Sequence, residues 1–324
     1  MHEYAIDQFC KVEQQNLNFI RHNQKKLRAE LYQGLVDAVN EGDLNGASIG
    51  RRIILPSSVH GSPRYMQQRY QDSMAIAAKY GKASLFITMT TNPNWPEITR
   101  ELLEGQQAND RPDLIARVFK AKLDSLLEDL LKKEVFGKAL GHIYVIEWQK
   151  RGLPHAHLLL WLAPEDAPRS PDDYNRFVSA EIPDPEAFPE LYTAVTRHNL
   201  HGPCGPHVQE NRRPPCCDES GSCTKGFPKV FQDRTVDNPD GYPLYRRRND
   251  DRYFTKNGFQ LDNRWVVPYN PWFILKYNCH ICVEICSSVA SIKYIHKYCY
   301  KGPDRATLQI QNEDDPVDEI SRCA

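Results

Sequence analysis

The chain has 324 residues, 40% of them hydrophobic, enough for one large core with smaller subdomains. Lys and Arg number 41 against 42 Asp and Glu, a formal net charge of −1, which excludes a general pull towards nucleic acid and confines any such affinity to local basic clusters. The opening MHEYAIDQFC lacks a signal-peptide core and no run approaches a membrane span, so the 10 cysteines are expected as reduced thiols or metal ligands in the cytosol or nucleus, with the nucleus as the assignment.

Residues 1–75 read as a helical, basic N-terminal region. Leu17, Ile20, Leu27 and Leu31 recur at roughly helical spacing among Arg21, Lys25, Lys26 and Arg28. A turn-rich segment and a short helix ending at Gly81 follow. SLFITMTTNP (84–93) alternates apolar and polar residues as a half-buried strand does, and Asn92-Pro93 ends it. Between Asp113 and Glu134, the apolar positions Ile115, Val118, Phe119, Leu123, Leu126, Leu127, Leu130 and Leu131 form one stripe of a helix, with Asp113 in the N-cap place. Residues 141–149 and 155–162 read as a hairpin, 163–190 as an exposed loop rich in proline and acid, and 229–270 as irregular. A strand over 278–286 leads into a helix from about 288 to 301. Strands and helices without regular alternation predict an α+β fold.

The chemistry concentrates in three places. In Pro154-His155-Ala156-His157, the two histidines lie two residues apart on a strand, so both imidazoles share one face and can share a metal ion. A register that pairs 149 with 155 also pairs 147 with 157, placing Gln149 and Glu147 beside them. Such nitrogen and oxygen donors suit Mg²⁺ or Mn²⁺ as well as Zn²⁺. Further on, SIKYIHKYCYKG sets Tyr294 and Tyr298 four apart on one helix face, with Lys297 and Lys301 on an adjoining one. A phenol attacks at neutral pH when a metal polarises its target phosphate and lysines neutralise the developing charge. Packing at the rim of a core is the alternative for these tyrosines.

The third place is the core-poor stretch 201–228. His201, Cys204, Cys216 or Cys217, and Cys223 could enclose a structural Zn²⁺, with His207 as a spare. Beyond these, His280, Cys282, Glu284 and Cys286 alternate onto one face of the 278–286 strand. Glu284 or His280 is therefore an alternative third ligand, beside Glu147, to Gln149. The basic run Arg246, Arg247, Arg248 and Lys301 are candidate DNA contacts. Trp95, Trp148, Trp161 and Trp272, with Tyr65 and Tyr70, are candidates for stacking on unpaired bases.

In this order, FITMTTNPNW (86–95), EWQKRGLPHAHLLLW (147–161), HGPCG (201–205), CTKGFPK (223–229) and KYNCHICVEIC followed by SIKYIHKYCYKGPD (between 276 and 304) resemble the replication-initiator domain of Helitron transposases, within the His-hydrophobic-His (HUH) endonucleases. The resemblance covers most of residues 50–305. It implies an antiparallel sheet flanked by helices, a divalent metal on His155 and His157 with Gln149 as third ligand, and paired nucleophiles at Tyr294 and Tyr298. One tyrosine would cut single-stranded DNA and keep its 5′ phosphate; the second would support strand transfer. It further implies transposon ends as substrate and a superfamily 1 helicase normally in the same polypeptide, although no Gly-x-x-x-x-Gly-Lys-Ser/Thr motif occurs here. Two positions depart from the pattern: Thr91 stands where cysteine is expected and Cys282 where asparagine is expected.

The organisation expected is therefore a helical region over 1–75, an endonuclease domain over 76–305 carrying the 201–228 insertion, and an acidic connector over 306–324. The function expected is nicking and strand transfer of single-stranded DNA through a covalent 5′-phosphotyrosine. The rival readings are a nucleic-acid-binding module without catalysis and a zinc hydrolase using the histidine pair with Glu147 as base.

Overall fold

The computed structural model describes residues 2–24, 26, 54–149, 152–205, 208, 214–238 and 241–287. These fall into two units divided between Met74 and Ala75. The sequence expectations for Tyr294, Lys297, Tyr298, Lys301, His207, the 288–301 helix and the 306–324 connector lie outside the described residues.

In the first unit, helix α1 (His2–His22) buries Leu17 and Ile20 in a small cluster with Leu55 and Val59. The Gln24 carboxamide closes that cluster: its nitrogen donates to the carbonyls of Ile20 (2.8 Å) and Ile54 (2.9 Å), and its oxygen accepts from the Ile54 amide (2.9 Å). A buried amide that satisfies both ends in this way costs little. Helix α2 (Pro63–Tyr80) crosses the division between the units.

The second unit is built on a four-stranded antiparallel sheet in the order β2-β3-β1-β6, flanked by helices. Strands β1 (Leu85–Thr90), β2 (Ala139–Trp148) and β3 (Pro154–Leu162) come where the apolar alternation predicts them. Helices α3 (Pro96–Thr99) and α4 (Pro112–Leu131) lie between β1 and β2 in sequence. Pro112 takes the first helical position of α4, where its fixed φ and missing N–H are harmless, so Arg111 and not Asp113 is the N-cap. The Asp113 carboxylate instead accepts from Arg111 Nε (3.0 Å) and Nη2 (3.1 Å).

One sheet face is apolar across β1 and β3. Leu85, Ile87 and Met89 of β1 and Ala156, Leu158 and Leu160 of β3 share a core with Ile115, Phe119, Leu123, Leu126 and Leu130 of α4. Beneath α4, the fully buried Asp129 carboxylate accepts from Lys133 (3.0 Å), from Lys276 and from the Tyr277 hydroxyl. Burial pushes its pKa up, but those three donors outweigh burial and hold it below the ordinary value.

The segment 163–190 departs from the exposed loop expected there. It contains α5 (Pro171–Phe177), and α6 (Pro189–His198) begins within it, while Val178, Ala180 and Ile182 are buried. Two of its prolines, Pro171 and Pro189, are helix starts, and Ser170 and Asp173 form a capping box around the first. The hairpin β4 (Tyr253–Lys256) and β5 (Phe259–Asp262) follows, and α7 (Pro271–Tyr277) precedes β6 (Ile281–Ile285). The outer edge of β6 is covered. Its amides at 281, 283 and 285 donate to Asn199 Oδ1 (3.3 Å), the Pro268 carbonyl (3.1 Å) and the Tyr245 hydroxyl (2.8 Å). An edge saturated in this way offers no row of free donors to another chain.

Candidate active site

The second sheet face carries the polar residues. His155 and His157 are the only positions of β3 that are not fully buried, and both lie on this face. In β1 the same face holds Thr90, across from His155, and Thr88, across from His157. Thr88 Oγ1 lies 3.1 Å from His157 Nδ1 and Thr90 Oγ1 lies 3.2 Å from His155 Nδ1. Each imidazole thus has its Nδ1 engaged by a neighbouring hydroxyl, which sets the ring orientation and makes Nε2 the candidate ligand atom. Phe86 stacks parallel to His157 with centroids 5.9 Å apart.

The hairpin register differs from the one expected. Glu147 stands across from His155 and Val145 across from His157. The cause is an early turn: Gln149 N donates to the Leu153 carbonyl (3.2 Å) and Gly152 N to the Gln149 carbonyl (2.8 Å), with Gly152 at φ +73°. A left-handed glycine closes a shorter loop than the one that would bring 149 opposite 155. The shift is by two residues, so Glu147 and Gln149 keep the face of the histidines. The two side chains play different parts, however. A Glu147 carboxylate oxygen lies 3.4 Å from His157 Nε2, whereas the Gln149 amide nitrogen lies 3.4 Å from His155 Nδ1, the nitrogen already facing Thr90. The geometry therefore favours Glu147 over Gln149 as the oxygen donor on the coordinating side.

Burial, with smaller contributions from His157 and His280, pulls the His155 pKa down to about 4, so the ring is neutral and its lone pair available at neutral pH. Two imidazoles and a carboxylate are a donor set that fits a divalent ion of the Mg²⁺, Mn²⁺ or Zn²⁺ kind. The other candidate ligands stand further along the sheet. In the strand order, β1 separates β6 from β3, so the backbones of Glu284 and of His280, just before β6, are two strand spacings from that of the pair, about 10 Å. His280 Nδ1 is engaged by the His198 carbonyl at 2.8 Å. Glu284 stands across from Phe86, where its pKa is raised to about 7, burial pushing it up against the opposing pull of Lys229 and Arg247.

Motif FITMTTNPNW proves to be the frame of this site. Beyond the two threonines on the histidines, Thr91 Oγ1 donates to the Pro154 carbonyl (2.6 Å) and so anchors the start of β3. A hydroxyl does that work where a cysteine was expected. Asn92 Nδ2 donates to the Asn278 carbonyl (2.7 Å) and Trp95 Nε1 to the Tyr277 carbonyl (2.8 Å), tying β1 to the entrance of β6. Sequence reasoning missed Thr88 and Thr90, although their alternation in β1 with Ile87 and Met89 carried the signal.

Several expected DNA contacts are turned inward. Arg247 is buried, with Nη1 donating to the carbonyls of Asn263 (2.7 Å), Val266 (2.7 Å) and Ala180 (3.4 Å); burial pulls its pKa down to about 10. Arg246 and Arg248 both pair with the buried Glu181, at 3.2 and 2.7 Å, while keeping about half their side chains exposed. The YRRR run is thus largely a structural clamp, its charge spent on Glu181 and on backbone carbonyls. Trp95 and Trp161 are core residues, whereas Trp148 and Trp272 are exposed, as stacking on bases requires. No helix among the described residues is long and apolar enough to cross a membrane.

A second cluster lies in the Cys/His-rich stretch. The ligand atoms of His201, Cys204, Cys216 and Cys223 all lie within 4.8 Å of one another, a group that could hold a metal ion. Cys217 is not part of it; its Sγ accepts from the Gly205 amide at 3.3 Å.

Comparison with curated proteins found no match. Residues 1–160, just under half of the chain, match the family model described as "Helitron helicase-like domain at N-terminus". The match takes in β1, the β2–β3 hairpin and the histidine pair, and ends before the Cys/His cluster and the two tyrosines. By this match the N-terminal half of the chain, which frames the candidate site, is similar to the N-terminal helicase-like domain of Helitrons.

Proposed function

We propose that the chain nicks and rejoins single-stranded DNA in rolling-circle transposition, with His155, His157 and Glu147 holding a divalent ion and Tyr294 or Tyr298 as nucleophile. The observation that carries the proposal is the paired imidazoles on one face of a central strand, each with a threonine hydroxyl at its Nδ1, and with the Glu147 carboxylate beside His157 Nε2. The ion, when bound, would polarise the scissile phosphate and offset its charge. The phenol oxygen forms a bond to phosphorus while the bond from phosphorus to the 3′ oxygen breaks. The phenol gives up its proton, the leaving oxygen takes one up, and the 5′ phosphate stays on the tyrosine. Attack on that linkage by a second 3′ hydroxyl reverses the sequence and transfers the strand. Lys297 and Lys301, near the tyrosines in sequence, offer charge to the phosphate, and Trp148, exposed at the end of β2, offers a surface for a base. A helicase acting on the same DNA, normally in the same polypeptide, is the partner this reading requires, and the nucleus its place.

The test is a denaturing gel of the chain mixed with end-labelled single-stranded oligonucleotides and Mn²⁺. The expected result is a protein–DNA adduct that is abolished in the doubly substituted Tyr294→Phe, Tyr298→Phe protein. His155→Ala is expected to lose cleavage but keep binding. Cleavage without adduct would favour a metal hydrolase, and salt-dependent binding without cleavage would favour a binding module; either outcome overturns the proposal.

A further inference from the structure

We infer that His201, Cys204, Cys216 and Cys223 bind one structural Zn²⁺, which fastens the 201–228 stretch onto the covered edge of the sheet. The four ligand atoms already converge to within 4.8 Å. A tetrahedral zinc site places its ligand atoms roughly 3.6–3.8 Å apart, so closure on the ion asks for side-chain movements of about 1 Å or less. His201 Nε2 is 3.3 Å from Cys223 Sγ, within hydrogen-bond distance. Three sulfurs and one imidazole nitrogen in a closed tetrahedral arrangement select zinc over the hard cations suited to the histidine pair.

Backbone donors and basic side chains gather around the cluster. The amides of Lys225 and Phe227 point at the Cys223 sulfur in the tight turn that Gly226 allows at φ +65°. Phe227 stacks on the His201 ring, with centroids 4.3 Å apart. Lys225, Lys229 and Lys256 are close enough to act electrostatically on His201, and they would offset the single net negative charge of zinc with three thiolates.

The stretch also needs such a fastener. Its turns close on themselves, through Thr224 N to the Cys216 carbonyl (2.8 Å), Asp218 N to the Ser222 carbonyl (2.9 Å) and Gly226 N to the Cys223 carbonyl (2.8 Å), and it brings few apolar residues to a core. On the sheet side, His201 N donates to the Trp265 carbonyl and Lys229 N to the Arg264 carbonyl, both at 2.9 Å. Residues 199 and 268 in turn bond the outer edge of β6. One ion would therefore join two sequence segments, 201–204 and 216–223, next to the strip that covers that edge. This inference is independent of the nuclease reading.

Metal content of the full chain, together with the visible spectrum of its cobalt-substituted form, tests the inference. One zinc per chain and a cobalt spectrum with tetrahedral d–d bands and a thiolate charge-transfer band are expected. Cys216→Ser should lose the zinc, Cys217→Ser should keep it, and His155→Ala with His157→Ala should keep it too. The paired Cys216 and Cys217 variants differ by one position, so a general folding defect would not separate them. The cobalt spectrum of the unsubstituted chain reads the site without any substitution. No zinc and no thiolate band, iron in place of zinc, or zinc lost from Cys217→Ser and kept in Cys216→Ser would overturn the assignment.

Discussion

Replacing Thr88 and Thr90 together by valine removes two hydroxyls and changes almost nothing else. Valine is nearly isosteric with threonine and favours strands as strongly, and both positions are half-buried, so the sheet should keep its packing. What is lost is the contact of each hydroxyl with a histidine Nδ1, at 3.1 and 3.2 Å. At about 0.5–1.5 kcal/mol net for each hydrogen bond, the pair contributes about 1–3 kcal/mol to holding the rings for coordination. That corresponds to a Mn²⁺ dissociation constant weakened roughly 5- to 150-fold, in keeping with the roughly 10- to 100-fold typical of outer-sphere partners of metal-bound histidine. Titration of the chain with Mn²⁺, following the paramagnetic resonance of the free ion, measures the constant directly. His155→Ala with His157→Ala gives the floor, and serine at 88 and 90 should restore most of the affinity. Valine variants that bind Mn²⁺ as tightly as the unsubstituted chain, while the alanine pair does not, would refute the positioning role and leave the metal site standing.

Three further outcomes follow from the packing. Arg247→Met strips a buried cation from the carbonyls of Ala180, Asn263 and Val266 and should cost about 2–5 kcal/mol in urea unfolding, against about 1 kcal/mol or less for the half-exposed Arg246→Ala; the reverse ranking would return the run to a surface role. Asp129→Asn should lower Tm at neutral pH. Because the Asp129 carboxyl is held below its ordinary pKa, its stabilisation is complete above that ordinary value, about 3.9, and is lost as pH falls through the folded-state value. The Tm gap to the unsubstituted chain should therefore close in acid, and a gap independent of pH would contradict the network. Leu123→Ala opens a hole beneath the apolar sheet face at a fully buried position and should cost about 2–5 kcal/mol, read from the shift in urea midpoint; a loss below 1 kcal/mol would mean that α4 does not seal the core.

The sequence made the framework readable where one physical signal dominates. The apolar stripe from Ile115 to Leu130 needs a helix and a sheet to cover, and the alternation around Thr88 and His155 puts those residues on one face whatever the register. The pairing of Glu147 with His155 was not readable, because it depends on where the loop closes, and Gly152 closes it early. Arg247 was misread for a related reason. A run of three arginines looks like a solvated face until the fold supplies the buried Glu181 and the carbonyls of Ala180, Asn263 and Val266 nearby. Pro171 and Pro189 looked like loop residues because proline breaks a helix interior as readily as it begins a helix, and only the capping contacts of Ser170 with Asp173 tell the two apart at the first of them. Adjacent cysteines 216 and 217 are equivalent in a list of spacings. Only Cys216 reaches His201 and Cys204, while the Cys217 sulfur accepts from the Gly205 amide.

An ion held by two imidazoles is tested most directly by an anomalous-difference map from a crystal of the chain soaked in Mn²⁺. A single peak about 2 Å from the Nε2 atoms of both His155 and His157, next to the Glu147 carboxylate and with a hydroxyl of Tyr294 or Tyr298 facing it, is the expected result. A peak elsewhere, or histidines whose Nε2 atoms point apart with no density between them, would contradict it.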